Sequence, residues 1–295
     1  MFDLRYHVAS LAAVFLMLVV GILIGVGISG RGFVEEAERD QLEGEIAQLK
    51  DDLEAANASV EDLELRQGAA EEFVEGAYPV LAEGRLEGRR VAVLVLGTLD
   101  PSVQEIEEAI ESPARGRVTR MRSVTLPLRF DAVESAVEAH DELGGYVGEE
   151  QLGNVGRDLG RELAAGGETP LWDALEGEIV ETKEGSLAEP VDAVVVLRSA
   201  EPQEGPGSRF LAGLYQGIAS AGVPVVGVEP TRVEQSAIPV FQRYGLSTVD
   251  GVDDELGKLA LILLLAGGER GDYGVRDTAT SGILPPIEPL PPSSG

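Results

Sequence analysis

Val91-Ala92-Val93-Leu94-Val95-Leu96-Gly97 is an unbroken apolar run closed by a glycine. A strand that is apolar at every position has both faces buried, the pattern of a parallel sheet covered by helices on either side. Related runs follow. Residues 191–197 and 223–228 are valine-rich, and residues 247–249 form a short last candidate. Residues 118–126 alternate more loosely, with Arg120 and Arg122 on one face and Met121 on the other. Helical segments near 101–112, 131–142, 149–165, 169–176, 208–221 and 253–267 separate them. Strands alternating with helices predict an α/β domain over residues 85–275, a doubly wound, mainly parallel sheet in three layers. Residues 259–266 are apolar throughout but too short to cross a bilayer, so they are read as a buried helix. Asp253 is expected to cap it, with Asp254 and Glu255 complementing its dipole. Residues 276–295 are read as a proline-rich, extended tail.

Upstream of the domain the periodicity changes. Leu42, Leu49, Ala56, Leu63 and Ala70 recur every seven residues, as do Ile46, Leu53, Val60, Gln67 and Val74 at an offset of four. These are the d and a positions of a coiled coil, and they predict a stalk over residues 33–78 with a seam of Leu42, Ile46, Leu49, Leu53, Ala56, Val60 and Leu63. In a parallel pair Glu45 would face Lys50 of the second helix and Arg66 would face Glu71, both attractive. At 1.5 Å per residue such a helix would extend about 65 Å and hold the α/β domain away from a membrane. Gly76, Pro79 and Gly84 are expected to punctuate its end. Self-association through the stalk, as a parallel dimer or higher oligomer, is the expected partner arrangement. The competing reading is a long single helix packed on its own domain.

Further upstream, residues 8–29 carry no charge. About 20 apolar residues cross the hydrocarbon core of a bilayer, whereas a secretory signal has an apolar core of roughly 7 to 15. Residues 1–32 are therefore expected to be an uncleaved membrane anchor. Gly21, Gly25 and Ser29 share one helix face at intervals of four, a spacing that lets two membrane helices approach closely. Arg5 and the amino terminus precede the span, while Glu35, Glu36, Glu38 and Asp40 soon outnumber Arg31 after it. Positive charge marks the cytoplasmic side. The expectation is a single pass with a short cytoplasmic N-terminus and an extracytoplasmic C-terminal domain.

Charge and composition exclude several classes. A net charge of −29 is wrong for nucleic acid, whose phosphates need a basic surface, and for a polybasic grip on anionic lipid. Catalytic groups are sparse. The chain has no cysteine and only His7 and His140; it has no G-x-S-x-G elbow or Walker loop, and no G-x-G-x-x-G follows the first strand. An enzyme is not expected. Were the carboxyl-end crevice of the sheet catalytic, Asp100, Glu229 and Asp250 would be the carboxylates to test. Asp250, Asp253, Asp254 and Glu255 form an acidic cluster, but its spacing is not that of a calcium loop, and helix capping explains it better. Soft metals prefer thiolate and thioether ligands. The only methionines are Met1, Met17 and Met121, so the residues single out neither a metal-ligand set nor a cofactor.

Two stretches carry a family resemblance. One is Asp3-Leu4-Arg5-Tyr6-His7-Val8-Ala9-Ser10-Leu11-Ala12-Ala13-Val14-Phe15, running into Gly21-Ile22-Leu23-Ile24-Gly25. The other is Ser247-Thr248-Val249-Asp250-Gly251-Val252-Asp253, followed by Gly257-Lys258-Leu259-Ala260-Leu261-Ile262-Leu263-Leu264-Leu265-Ala266 and Asp272-Tyr273-Gly274-Val275. With the order anchor, coiled coil and α/β domain, the chain resembles the actinobacterial copper transporter family typified by mycobacterial copper transport protein B. The resemblance implies copper homeostasis, with copper as the transported ion, efflux or pore formation as the mode, and an outer envelope location. It brings no copper-binding residues with it. A different class of function remains open beside it: a non-transporting scaffold whose stalk presents an α/β binding module to an envelope protein.

Overall fold

A computed structural model describes residues 4–28, 31–99, 101–185 and 188–289. The chain divides into two units, residues 1–70 and 71–295. In the first, α1 (Leu4–Ile28) is one continuous helix, and its segment His7–Gly27 is long and apolar enough to cross a membrane. The second helix, α2 (Arg31–Ala82), is 52 residues long and ends within the second unit. It outlasts the expected stop. Pro79 lies inside it, and the helix ends at Ala82, before Gly84 at φ +67°. The proline removes one backbone donor, but Tyr78, Leu81 and Ala82 pack into the domain core and hold the last turn.

The α/β domain is built on β1 (Arg90–Leu96), β2 (Arg117–Val124), β3 (Val180–Gly185), β4 (Ala193–Arg198), β5 (Val225–Val228), β6 (Ser247–Val249) and β7 (Asp272–Tyr273). They form one sheet in the order β3-β2-β1-β4-β5-β6-β7, parallel except for β3, which runs antiparallel to β2. The intervening helices are α3 (Ser102–Glu111), α4 (Phe130–Glu138), α5 (Leu152–Ala165), α6 (Pro170–Leu175), α7 (Gly205–Ala219), α8 (Ile238–Arg243) and α9 (Glu255–Leu265). Alternation along the central strands divides the core in two. Ala92, Leu94, Leu96, Val194 and Val196 face α4 to α8. Val91, Val93, Val95, Ala193, Val195 and Leu197 face α3 and α9. The fold is thus the doubly wound, three-layer arrangement the apolar strands require, with its switch between β1 and β4.

Sequence reading missed three elements. β3 is an edge strand whose sequence after Val180 is polar throughout, Glu181-Thr182-Lys183-Glu184-Gly185, so no apolar run marks it. α8 is a single short helix with a proline in its first turn, and β7 has two residues. The helix expected to reach residue 142 stops at Glu138 and gives way to 3-10 turns at Asp141–Tyr146 and Glu149–Gln151. Gly148, at φ +104°, separates those turns. Asp254, not Asp253, caps α9: its carboxylate accepts from the Gly257 N–H at 2.7 Å. Asp253 instead accepts from the N–H and hydroxyl of Thr231.

Glycine sets the closest helix contact. A Cβ on Gly213 would lie 2.0 Å from the Gly153 carbonyl oxygen, and one on Gly217 would lie 2.0 Å from that of Arg157. From the other side, a Cβ on Gly156 would lie 2.1 Å from the Phe210 oxygen. α5 and α7 therefore meet backbone to backbone. Trp172 is buried beside them and donates its indole N–H to the Leu159 oxygen at 2.9 Å. As the chain's single tryptophan, it reports unfolding of this domain by fluorescence. Gly213→Ala should destabilise the domain by about 3 kcal/mol through overpacking. Gly153→Ala, whose Cβ would sit at an ordinary 3.7 Å, should leave stability unchanged or raise it by up to about 1 kcal/mol. Denaturant titration followed at Trp172 measures both.

On α5, Glu162 accepts weakly from the N–H groups of Leu171 and Trp172, at 3.4 and 3.3 Å. Burial pushes its carboxyl up to about 7 against those two donors. The folded state then holds a proton that the unfolded chain releases near 4.5, so the stabilisation is present below that value and lost as pH rises through about 7. Tm of the wild type should fall between pH 5 and 8, and Glu162→Gln should flatten that fall. A fall of equal size in both proteins would exclude Glu162 as its source.

Candidate functional site

With helices on both faces, the carboxyl edge of the parallel strands is where a ligand can reach the sheet. β1 delivers Gly97, at φ +112°; a Cβ there would lie 2.8 Å from Ser199 Oγ and from the Ala200 Cβ, so the loops after β1 and β4 are pressed together. The Ser199 hydroxyl donates to the Thr98 oxygen. β4 ends in Arg198, which is 7% exposed, and neither its Nε nor its Nη2 has a hydrogen-bond partner among the described residues. Tyr215 of α7 stands beside that guanidinium. Burial raises the phenol to about 12, the cation opposes the rise, and the pair falls outside hydrogen-bonding geometry. Phe241 of α8 closes edge-on against the Tyr215 ring, with centroids 5.6 Å apart.

Above Arg198 lies a cleft of about 620 Å³ between residues 197–201 and the loop after β5, which contributes Pro230 and residues 232–235. Next along the edge is Glu229, 1% exposed. It accepts from the Ser236 hydroxyl at 2.9 Å, the Ala237 N–H at 2.8 Å and Arg276 Nη1 at 2.6 Å. Asp250, at the end of β6 and 3% exposed, accepts from the N–H groups of Val275 and Arg276 at 2.9 and 3.2 Å. Arg276 Nη2 also donates to the Thr231 oxygen.

The structure therefore brings two of the three crevice carboxylates together on one arginine, while Asp100 lies outside the described residues. Arg276 was not singled out by its sequence context, because the chain loses periodicity there. The segment read as a free tail instead engages the domain well past residue 276. Gln242 donates to the Thr278 oxygen, Leu284 packs on the core, and Arg85 donates to the Glu288 oxygen. The acidic cluster is dispersed among separate donors: Asp250 takes backbone amides, Asp253 takes Thr231 and Asp254 takes Gly257. Among the described residues no three His, Cys, Asp or Glu side chains are grouped to hold a metal ion. His140 is exposed, and its Nδ1 donates to the Ala136 oxygen at 2.9 Å.

In the N-terminal unit, Cβ atoms on Gly21 and Gly25 would meet nothing within 4 Å, and Ser29 lies outside the described residues. The seam residues Leu42, Ile46, Leu49, Leu53, Ala56, Val60 and Leu63 are all exposed. Arg66 forms an ion pair along the same helix with Asp62, at 2.9 Å.

Fold and site define a class: an apolar N-terminal helix and a long polar helix, followed by a doubly wound α/β domain whose carboxyl edge holds a cleft over a buried arginine. The family described as "Copper transport outer membrane protein, MctB" matches residues 1–284, and the chain belongs to that family. Similar proteins include those named "Copper transporter MctB" from Mycobacterium bovis (strain ATCC BAA-935 / AF2122/97) and Mycobacterium tuberculosis (strain ATCC 25618 / H37Rv). Each is 25% identical over 316 residues, spanning 95% of this chain and 98% of the relative.

Removing the arginine that joins β5, β6 and the C-terminal segment should leave Glu229 a buried charge with its cation gone. Arg276→Ala is expected to cost about 3 kcal/mol. Adding Glu229→Gln should recover much of the loss, and guanidinium unfolding followed at Trp172 measures both.

Proposed function

We propose that this protein is a membrane-anchored envelope component of copper homeostasis that moves copper out of the cell as a self-associated assembly. The observation that carries the reading is the extent of the family match. It runs from residue 1 to residue 284, through the apolar helix, the long helix and the α/β domain, rather than covering a shared fold alone. The relatives' names supply copper as the cargo.

Physical considerations support the assembly. A single apolar helix has no interior through which an ion could pass, so a conduit built from α1 needs several copies side by side. Gly21 and Gly25 offer a face on which two such helices can approach. On α2 the exposed seam from Leu42 to Leu63 repeats every seven residues, and apolar side chains at that spacing are covered by a second helix in a coiled coil. The charge flanks favour a cytoplasmic amino terminus and an α/β domain on the far side.

Deleting the gene and measuring intracellular copper load and copper sensitivity tests this reading. The deletion strain should accumulate copper. The full chain should restore the balance, whereas a version lacking residues 1–32 and a seam variant, Leu49→Ser with Leu53→Ser, should not. An unchanged copper load in the deletion strain would overturn transport and favour a scaffold that presents the α/β domain to an envelope partner.

A further inference from the structure

We propose that the cleft at the carboxyl ends of β4 and β5 binds a small organic anion, with its carboxylate or phosphate group held by Arg198. Three observations meet there. First, Arg198 is a cation with 7% exposure whose Nε and Nη2 are unpartnered among the described residues. A charge removed from water without a hydrogen-bonded counter-charge is costly, and a fold retains one where a ligand supplies the missing acceptors. Second, acid is abundant in this chain, and other arginines of the domain use it: Arg90 pairs with Asp192, Arg115 with Glu83, Arg161 with Asp158 and Arg276 with Glu229. Arg198 pairs with none of the described acids, although Glu201 and Glu234 line the same cleft. Third, the cleft holds about 620 Å³ over this arginine, within the usual range for a small-molecule pocket.

The geometry selects the ligand class. A guanidinium is a forked donor that matches the paired oxygens of a carboxylate or phosphate, and in Arg198 Nε and Nη2 are the prongs closed off from water with no acceptor among the described residues. Arg232 adds a second positive charge from the opposite wall, while Glu201 and Glu234 at the rim repel polyanions. A small anion with one oxyanionic group therefore fits, and nucleic acid or an extended acidic peptide does not. The site lies beside the β1–β4 switch, where open parallel sheets place their ligands. It uses none of the residues that tie down Glu229 and Asp250.

The test uses the full chain purified in detergent, with unfolding read at Trp172 while propionate or inorganic phosphate is added at constant ionic strength. Wild type should show a saturable rise in Tm, about 5–10 °C once the ligand reaches roughly a hundred times its Kd. Arg198→Met, which keeps the volume of the stem and removes the unpartnered charge, should fold with unchanged or raised Tm and lose the ligand-dependent rise. Arg232→Ala should weaken the apparent affinity several-fold. A rise with propionate alone assigns a carboxylate, and a rise with phosphate alone assigns a phosphate. No saturable rise with either anion, or a rise that survives Arg198→Met, would overturn the site.

Discussion

A parallel sheet cannot leave either face in water, because its crossover connections lay helices over both sides and its strands become apolar on both. In this domain that constraint is most severe at β1 and β4, whose residues Val91 to Leu96 and Ala193 to Leu197 are almost wholly inaccessible. α5 and α7 must lie close over one face, and the glycines between them allow their backbones to touch. α3 and α9 close the other. With both faces covered by helices, a ligand can reach the sheet at the carboxyl edge of its parallel strands. Arg198, Glu229 and Asp250 are buried there at the ends of successive strands.

The same constraint explains why the edge carries so many side-chain bonds to backbone. Each strand end brings a charged group into a region already closed by packing, so each needs local partners. Glu229 and Asp250 find theirs in the loop after β5 and in the segment after β7, and Arg276 serves both. Among the described residues Arg198 is the exception, its Nε and Nη2 buried without an acceptor, and it lines the cleft between the loops after β4 and β5. Arg120, inside β2, shows the other solution: its Nη1 donates to the Leu163 oxygen at 2.7 Å, and burial lowers its pKa to about 10.

The N-terminal unit follows different physics. From His7 to Gly27 α1 is apolar, and α2 is largely polar apart from its heptad seam and a few further apolar residues such as Leu65 and Phe73, so neither can bury itself in a conventional core. Their apolar surfaces are exposed in the single chain. A bilayer meets the first requirement and a second helix the second, which is why the family's envelope setting and the proposed assembly are physically coherent.

Periodicity by itself determined the apolar helix, the long heptad helix and the central strands, since an apolar run closed by glycine has few other outcomes. The two named stretches, one near each end of the chain, also identified the family. Only tertiary structure decided the rest. β3 is an edge strand that is polar after Val180, so its place depends on pairing with β2 and not on its own composition. Arg276 acquires its role because β7 adds to the sheet edge and carries the following residues back over Glu229 and Asp250. The solitude of Arg198 is likewise invisible in sequence. Acids are plentiful around it, and only the folded backbone determines which of them it can reach.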